Sequence, residues 1–240
     1  MLAESRRQRL RSPASSLRGL RRTNPACLLR VHSRAMSNHS KRLYLASQSP
    51  RRLELLRQVG LEPTVLPLRN TPGRIDVDET PLPGEPATDY VLRLARMKAK
   101  AGADVQLVRK LPAWPILAAD TTVTLDGRIL GKPLDAADAA AMLRSYSGCA
   151  HTVLTAVAAV YSGHLEVALS ESVVRFKPLS EAEISAYLAS REAFDKAGGY
   201  GIQGRAALFI EHLSGSYSGV MGLPLYETSE LLKTVGFEIL

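Results

Sequence analysis

The sequence predicts an α/β fold. From Arg42 onward, short apolar runs alternate with stretches of helical periodicity. Hydrophobic residues make up 45% and charged ones 22%, the ordinary globular range, so a disordered or collagen-like chain is excluded. No apolar run of roughly 18 residues occurs, which excludes a membrane-spanning helix. Cys27 and Cys149 are too few for a disulfide framework or a zinc cluster, and fit a reducing compartment.

The elements follow in chain order. Strands are expected at Leu43 to Ala46, Ile116 to Leu125, His151 to Tyr161, Val167 to Phe176 and Ala207 to Leu213. Helices are expected at Arg51 to Val59, Ala87 to Ala101, Ala136 to Tyr146, Glu181 to Ala189 and Leu225 to Val235. Ser180 with Glu183 forms a capping box, Asp135 suits an N-cap, and Gly148 and Gly236 suit positions just past helix ends. Asp126-Gly127 marks a hairpin. Pro63 to Pro86 holds six prolines and two glycines and reads as a long surface loop of the kind that carries function.

The formal net charge of +8 suggests nucleic acid until it is divided along the chain. Residues 1–40 contain nine arginines, no lysine and one acid, Glu4, so the whole excess sits there. Residues 41–240 balance, so no nucleic-acid partner is expected of the globular part, and no membrane partner. The first 40 residues read as an extension outside the fold. It is a disordered or spurious stretch ahead of Met36, a targeting segment with the composition of a mitochondrial transit peptide, or a nucleic-acid or membrane tail.

Five features carry chemistry. Ser47-Gln48-Ser49-Pro50-Arg51-Arg52 follows a strand and opens a helix, with Ser49 at the N-cap and Pro50 at the first helical position. Two cations beside orphan backbone N–H groups are locally frustrated unless an anion joins them, which makes a phosphate cradle. A solvated arginine pair is the bland alternative. Lys98 falls within the apolar stripe of Val91, Leu94 and Ala95 at about 100° per residue, so it either snorkels or meets an anion.

Asp120 ends the apolar run Ile116 to Ala119 and should face a cleft, a metal or a cation, unless it merely caps a turn. Gly131-Lys132-Pro133 stands close behind it. The glycine-rich stretches Asp195 to Gly204 and Gly215 to Pro224 let backbone approach a ligand, and Gln203 offers a donor and an acceptor to a base edge; simple turns would use the same glycines. His151 has no second His or Cys at ligand spacing, so it reads as a loop-orienting residue. Together these imply a polyphosphate site. The chemistry it supports is attack of water on phosphorus, with cations holding the charge and a metal at Asp120.

The order Ser-x-Ser-Pro-Arg-Arg-x-Glu-Leu-Leu (47–56), Asp-Glu (78–79), Arg-Leu-Ala-x-x-Lys-Ala (93–99), Ala-Ala-Asp-Thr (118–121), Gly-Lys-Pro (131–133), Ser-Gly-x-x-His-x-Val-x-Thr (147–155) and Gly-Ser to Gly-Leu-Pro (215–224) resembles the Maf family over residues 42–240. The resemblance implies a nucleoside triphosphate pyrophosphatase that releases a nucleoside monophosphate and pyrophosphate with a divalent cation, Mg or Mn. It implies a mixed twisted sheet with flanking helices, two lobes around a cleft similar to inosine triphosphate pyrophosphatases, and a homodimer. Asp120 would be the proton acceptor. Ser49, Arg51, Arg52, Glu79, Lys98, Lys132 and Lys196 would bind substrate, and Asp120 with Glu79 the metal. Arg51, Thr121 and Gln203 match positions of base selection, and Gly-Tyr-Gly-Ile-Gln-Gly (199–204) resembles the branch acting on dTTP and UTP.

Residues 1–40 are outside the family pattern, and Leu66 to Pro86 and Asp104 to Pro115 look longer than its usual connections. Two other readings stand: a nucleotide-binding regulator of cell division, and a 7-methyl-GTP pyrophosphatase. A cytoplasmic location is expected, or a mitochondrial one if residues 1–35 are a transit peptide.

Overall fold

One strand, buried on both of its faces, organises the molecule. In the computed structural model, which describes residues 41–71, 74–237 and 239, strand β5 (Ile116–Leu125) turns Leu117 and Ala119 to one face and Ile116 and Ala118 to the other. Around it run β1 (Arg42–Leu45), α1 (Pro50–Gln58), β2 (Glu62–Val65), the short pair β3 (Asn70–Thr71) and β4 (Arg74–Ile75), and α2 (Ala87–Val108). After it come β6 (Arg128–Leu130), α3 (Ala136–Tyr146), β7 (Ala150–Tyr161), β8 (His164–Phe176), α4 (Glu181–Ala189), β9 (Ile210–Ser214), α5 (Tyr217–Met221) and α6 (Leu225–Thr234).

Among the described residues the main sheet has seven strands in the order β2-β1-β5-β7-β8-β9, with β6 also paired to β5. β1 runs parallel to β2 and β5, and the remaining pairs are antiparallel, so the sheet is mixed and flanked by helices, as the family resemblance implies. Leu117 and Ala119 pack with Leu55 and Leu56 of α1 and Leu231 and Leu232 of α6. Ile116 and Ala118 pack with Val91, Ala95 and Ala99 of α2. Farther along β5, Val123 and Leu125 serve a third cluster with Leu143 and Tyr146 of α3 and Ile184 and Tyr187 of α4. The cleft opens where β5 passes from the first two clusters to the third, and Asp120, Thr121 and Thr122 stand there.

Several boundaries differ from expectation, each for a local reason. Helix α2 runs on to Val108 because Gly102 lets it lie against the sheet: a Cβ there would come within 2.9 Å of Ile116 Cγ2 and 3.0 Å of Ala46 Cβ. The start of the long proline loop is strand β2, whose Pro63 is tolerated because the strand is at the sheet edge. β9 begins at Ile210 rather than Ala207, since Arg205–Leu208 winds into a 3₁₀ turn first. The second glycine stretch contains α5, capped by Ser216. The expected caps at Ser180 and Asp135 form, and Asp126-Gly127 turns the β5–β6 hairpin with both residues at positive φ. Residues 1–40, expected to be an extension, lie outside the described residues.

Candidate active site

Strand β1 delivers the chain into a polar loop, Ser47–Ser49, and Pro50 starts α1 with no acid in its first turn. Arg51 and Arg52 therefore occupy the helix's positive end without a local counter-charge. Arg52 fans out to three neutral acceptors. Its Nε donates to the Gly222 carbonyl at 2.7 Å, Nη1 to Ser47 Oγ at 3.1 Å and Nη2 to Thr121 Oγ1 at 3.0 Å. Neutral partners fix a guanidinium without cancelling its charge, and two of its five N–H groups make no bond among the described residues and are left for an anion. Loss of solvation lowers the Arg52 pKa; Asp120 opposes this, while neighbouring Arg51 adds to it. Ser49 occupies the N-cap position, but its side chain makes no cap hydrogen bond and lines the cleft.

The alternation of β5 sends neighbouring residues to opposite faces. Thr121 meets Arg52 from α1 and lies 3.0 Å from Thr155 Oγ1 on β7. Asp120, only 7% exposed, meets Lys98 from α2 at 2.6 Å. The same ammonium reaches Glu79, from the long loop, at 2.7 Å. Lys98 thus meets carboxylates instead of snorkelling.

The opposite wall comes from Lys132 beyond β6 and from residues 195–203. Asp195 pairs with Arg51 at 3.2 Å and with Lys196, whose Nζ also donates to the Glu192 carbonyl at 2.6 Å. Behind this loop, His151 Nε2 and Tyr200 Oη are 2.7 Å apart in a buried cage of Tyr146 and Phe176. Burial holds the His151 pKa down at about 4 and pushes Tyr200 well above the usual phenol range. The loop-orienting role expected of His151 matches this placement. Every candidate residue from the sequence lines one cleft of about 740 Å³: Ser49, Arg51, Arg52, Glu79, Lys98, Asp120, Thr121, Lys132, Lys196 and Gln203. Among the described residues, six cationic side chains face three acidic ones there, which suits a polyanion.

A model of the Maf-like protein family matches residues 42–235. The chain belongs to the Maf family. Among its relatives, the dTTP/UTP pyrophosphatase of Dechloromonas aromatica is 55% identical over 82% of this chain and 98% of its own length. Those of Aromatoleum aromaticum and Bordetella avium are 54% and 55% identical, covering 82% and 84% of this chain and 97% and 99% of theirs. Among solved structures, the Ham1 protein of Staphylococcus aureus aligns over 57% of this chain and 72% of its own with 14% identity and a TM-score of 0.39.

In this Maf protein the sequence reading missed Asp195 and Tyr200 as parts of the site. Asp195 carried a faint signal, an acid beside Lys196 at the head of a glycine-rich stretch. Tyr200 carried none, because its partner His151 is 49 residues away. Tyr90, whose hydroxyl donates to the Glu79 carbonyl at 2.9 Å, is a further lining residue. Burial, with Asp120 and Glu79 adding to it, pushes its pKa to about 12. No helix among the described residues is long and apolar enough to cross a membrane.

Proposed function

We propose that this Maf protein hydrolyses nucleoside triphosphates, dTTP and UTP foremost, to the nucleoside monophosphate and pyrophosphate. The observation that carries it is the placement of Asp120, a buried carboxylate, in a cleft otherwise dominated by Arg51, Arg52, Lys98, Lys132 and Lys196. A proton acceptor ringed by cations is what hydrolysis of a polyphosphate needs. That the relatives are dTTP/UTP pyrophosphatases supports pyrimidine substrates over 7-methyl-GTP.

In this mechanism the cations hold the triphosphate chain, and Lys98 orients the carboxylate through Oδ1. Asp120 Oδ2, which accepts no hydrogen bond from the described residues, takes a proton from a water molecule. The water oxygen bonds to phosphorus at the α–β bridge, the bridging P–O bond breaks, and its electron pair leaves with pyrophosphate. Thr121, which Arg52 holds, and Gln203, which lines the same cleft, would select the base, the Gln amide offering a uracil or thymine edge one donor and one acceptor.

A divalent cation, magnesium or manganese, fits the donor set. Asp120 and Glu79 already converge on a single cationic nitrogen, and among the described residues no cluster of three or more His, Cys, Asp or Glu forms. Two carboxylates with the remaining positions left to water and phosphate oxygens is the arrangement magnesium favours. When bound, such an ion would neutralise phosphate charge and lower the pKa of water.

The test is pyrophosphate release from dTTP, UTP, CTP, the purine triphosphates and 7-methyl-GTP. Selective turnover of dTTP and UTP is expected. Turnover of 7-methyl-GTP alone would keep the mechanism and overturn the base assignment, and binding without turnover would favour a regulatory role. We also propose a homodimer, to be read by light scattering, and a catalytic domain that excludes residues 1–40. The family match beginning at residue 42 supports the second point, and deletion of residues 1–35 should leave turnover unchanged.

A further inference from the structure

The cleft contains two kinds of ion pair. Lys98 and Asp120 are 14% and 11% exposed at their side chains and sit on the sheet and its covering helix. Asp195, by contrast, is 65% exposed, and it joins Arg51 of α1 to Lys196 on the facing loop. Among the described residues Arg51 makes no other side-chain bond, whereas Lys196 is also held by the Glu192 carbonyl. Releasing Asp195 would therefore free Arg51 while Lys196 kept its place.

We propose that Asp195 is a place-holding carboxylate: it occupies Arg51 and Lys196 in the free enzyme and yields both to the incoming triphosphate. This rests on the pyrophosphatase reading above. Asp195 is an anion among six cations, placed at the two that belong to opposite walls of the cleft. Exposed ion pairs are weak, so a polyphosphate that brings several charges to the same two cations displaces it. The cost of that displacement is paid on every binding event, which makes Asp195 a negative determinant of affinity. In the free enzyme the same bridge ties α1 to the loop that carries Gln203.

The test is Asp195→Asn in the full chain, which removes the charge and keeps a side chain able to accept a hydrogen bond from Arg51. The KM for dTTP should fall roughly three- to five-fold, the range an exposed pair can withhold, so that kcat/KM rises through KM. Calorimetric binding of inorganic pyrophosphate should tighten by a similar factor, with the gain shrinking as salt is raised. An unchanged or raised KM in a wild-type background that turns over dTTP would overturn the proposal and make Asp195 an orienting partner of Arg51. A lowered melting temperature with unchanged pyrophosphate affinity would likewise overturn it, in favour of a structural role. Failure of the wild type itself to release pyrophosphate would sink the pyrophosphatase reading instead, and the calorimetric comparison would still decide the role of Asp195.

Discussion

Lys98 Nζ lies 2.6 Å from Asp120 Oδ1, and this pair locks the middle of α2 to the point on β5 where the apolar run ends. Asp120→Asn keeps the shape and removes the proton acceptor. Turnover should fall by about 10²- to 10⁴-fold, while calorimetric affinity for a non-hydrolysable triphosphate changes little. Near-normal turnover in that variant would remove Asp120 from the role of base.

Arg52 should tolerate no conservative change. Its three donors reach Gly222, Ser47 and Thr121 in directions set by a planar fork, which a lysine cannot reproduce. Arg52→Lys should lower kcat/KM by roughly 100-fold and stability by about 1–2 kcal/mol, measured by steady-state kinetics and urea unfolding. Arg51, bonded among the described residues only to exposed Asp195, should show the kinetic loss without a comparable stability loss.

His151 makes stability depend on pH in a definite direction. Its folded pKa, about 4, lies below the ordinary 6.5 because of burial, so between those values the unfolded chain binds more protons than the folded one. Stability from this group is fully present above about pH 6.5 and is lost as pH falls towards 4, by on the order of 3 kcal/mol. Urea midpoints at neutral and mildly acidic pH should show a steeper decline for wild type than for His151→Gln; equal slopes would contradict this.

Gly198 sits at φ +74°, and a Cβ there would come within 2.6 Å of Val123 Cγ2 and 3.0 Å of the Tyr146 hydroxyl. Gly198→Ala should destabilise by about 3 kcal/mol, combining left-handed backbone strain with overpacking. Because Lys196 and Gln203 ride on the same segment, the selectivity for dTTP and UTP over CTP should narrow as well, read as a ratio of kcat/KM values.

The sequence made the site more legible than the elements around it. Lys98 and Asp120 were conspicuous because each breaks an apolar pattern, and a charge in such a place demands a partner that the structure supplies. Arg51 and Arg52 stood out because they sit where helix ends prefer acids. Pro63 concealed strand β2, since proline argues against a strand until one knows that the strand is an edge. Helix α2 was expected to stop at Ala101, because the role of Gly102 as a contact surface for Ile116 and Ala46 exists only once sheet and helix are packed. Tyr200 was invisible, and Asp195 nearly so, for the same reason: their partners His151 and Arg51 are distant in sequence and meet them only through the fold.

The most direct measurement is identification of the products when the purified full-length chain meets dTTP or UTP with magnesium or manganese. Monophosphate and pyrophosphate in equal amounts, abolished by Asp120→Asn, are expected. Diphosphate with inorganic phosphate, or no turnover of any triphosphate, would contradict hydrolysis at the α–β bridge.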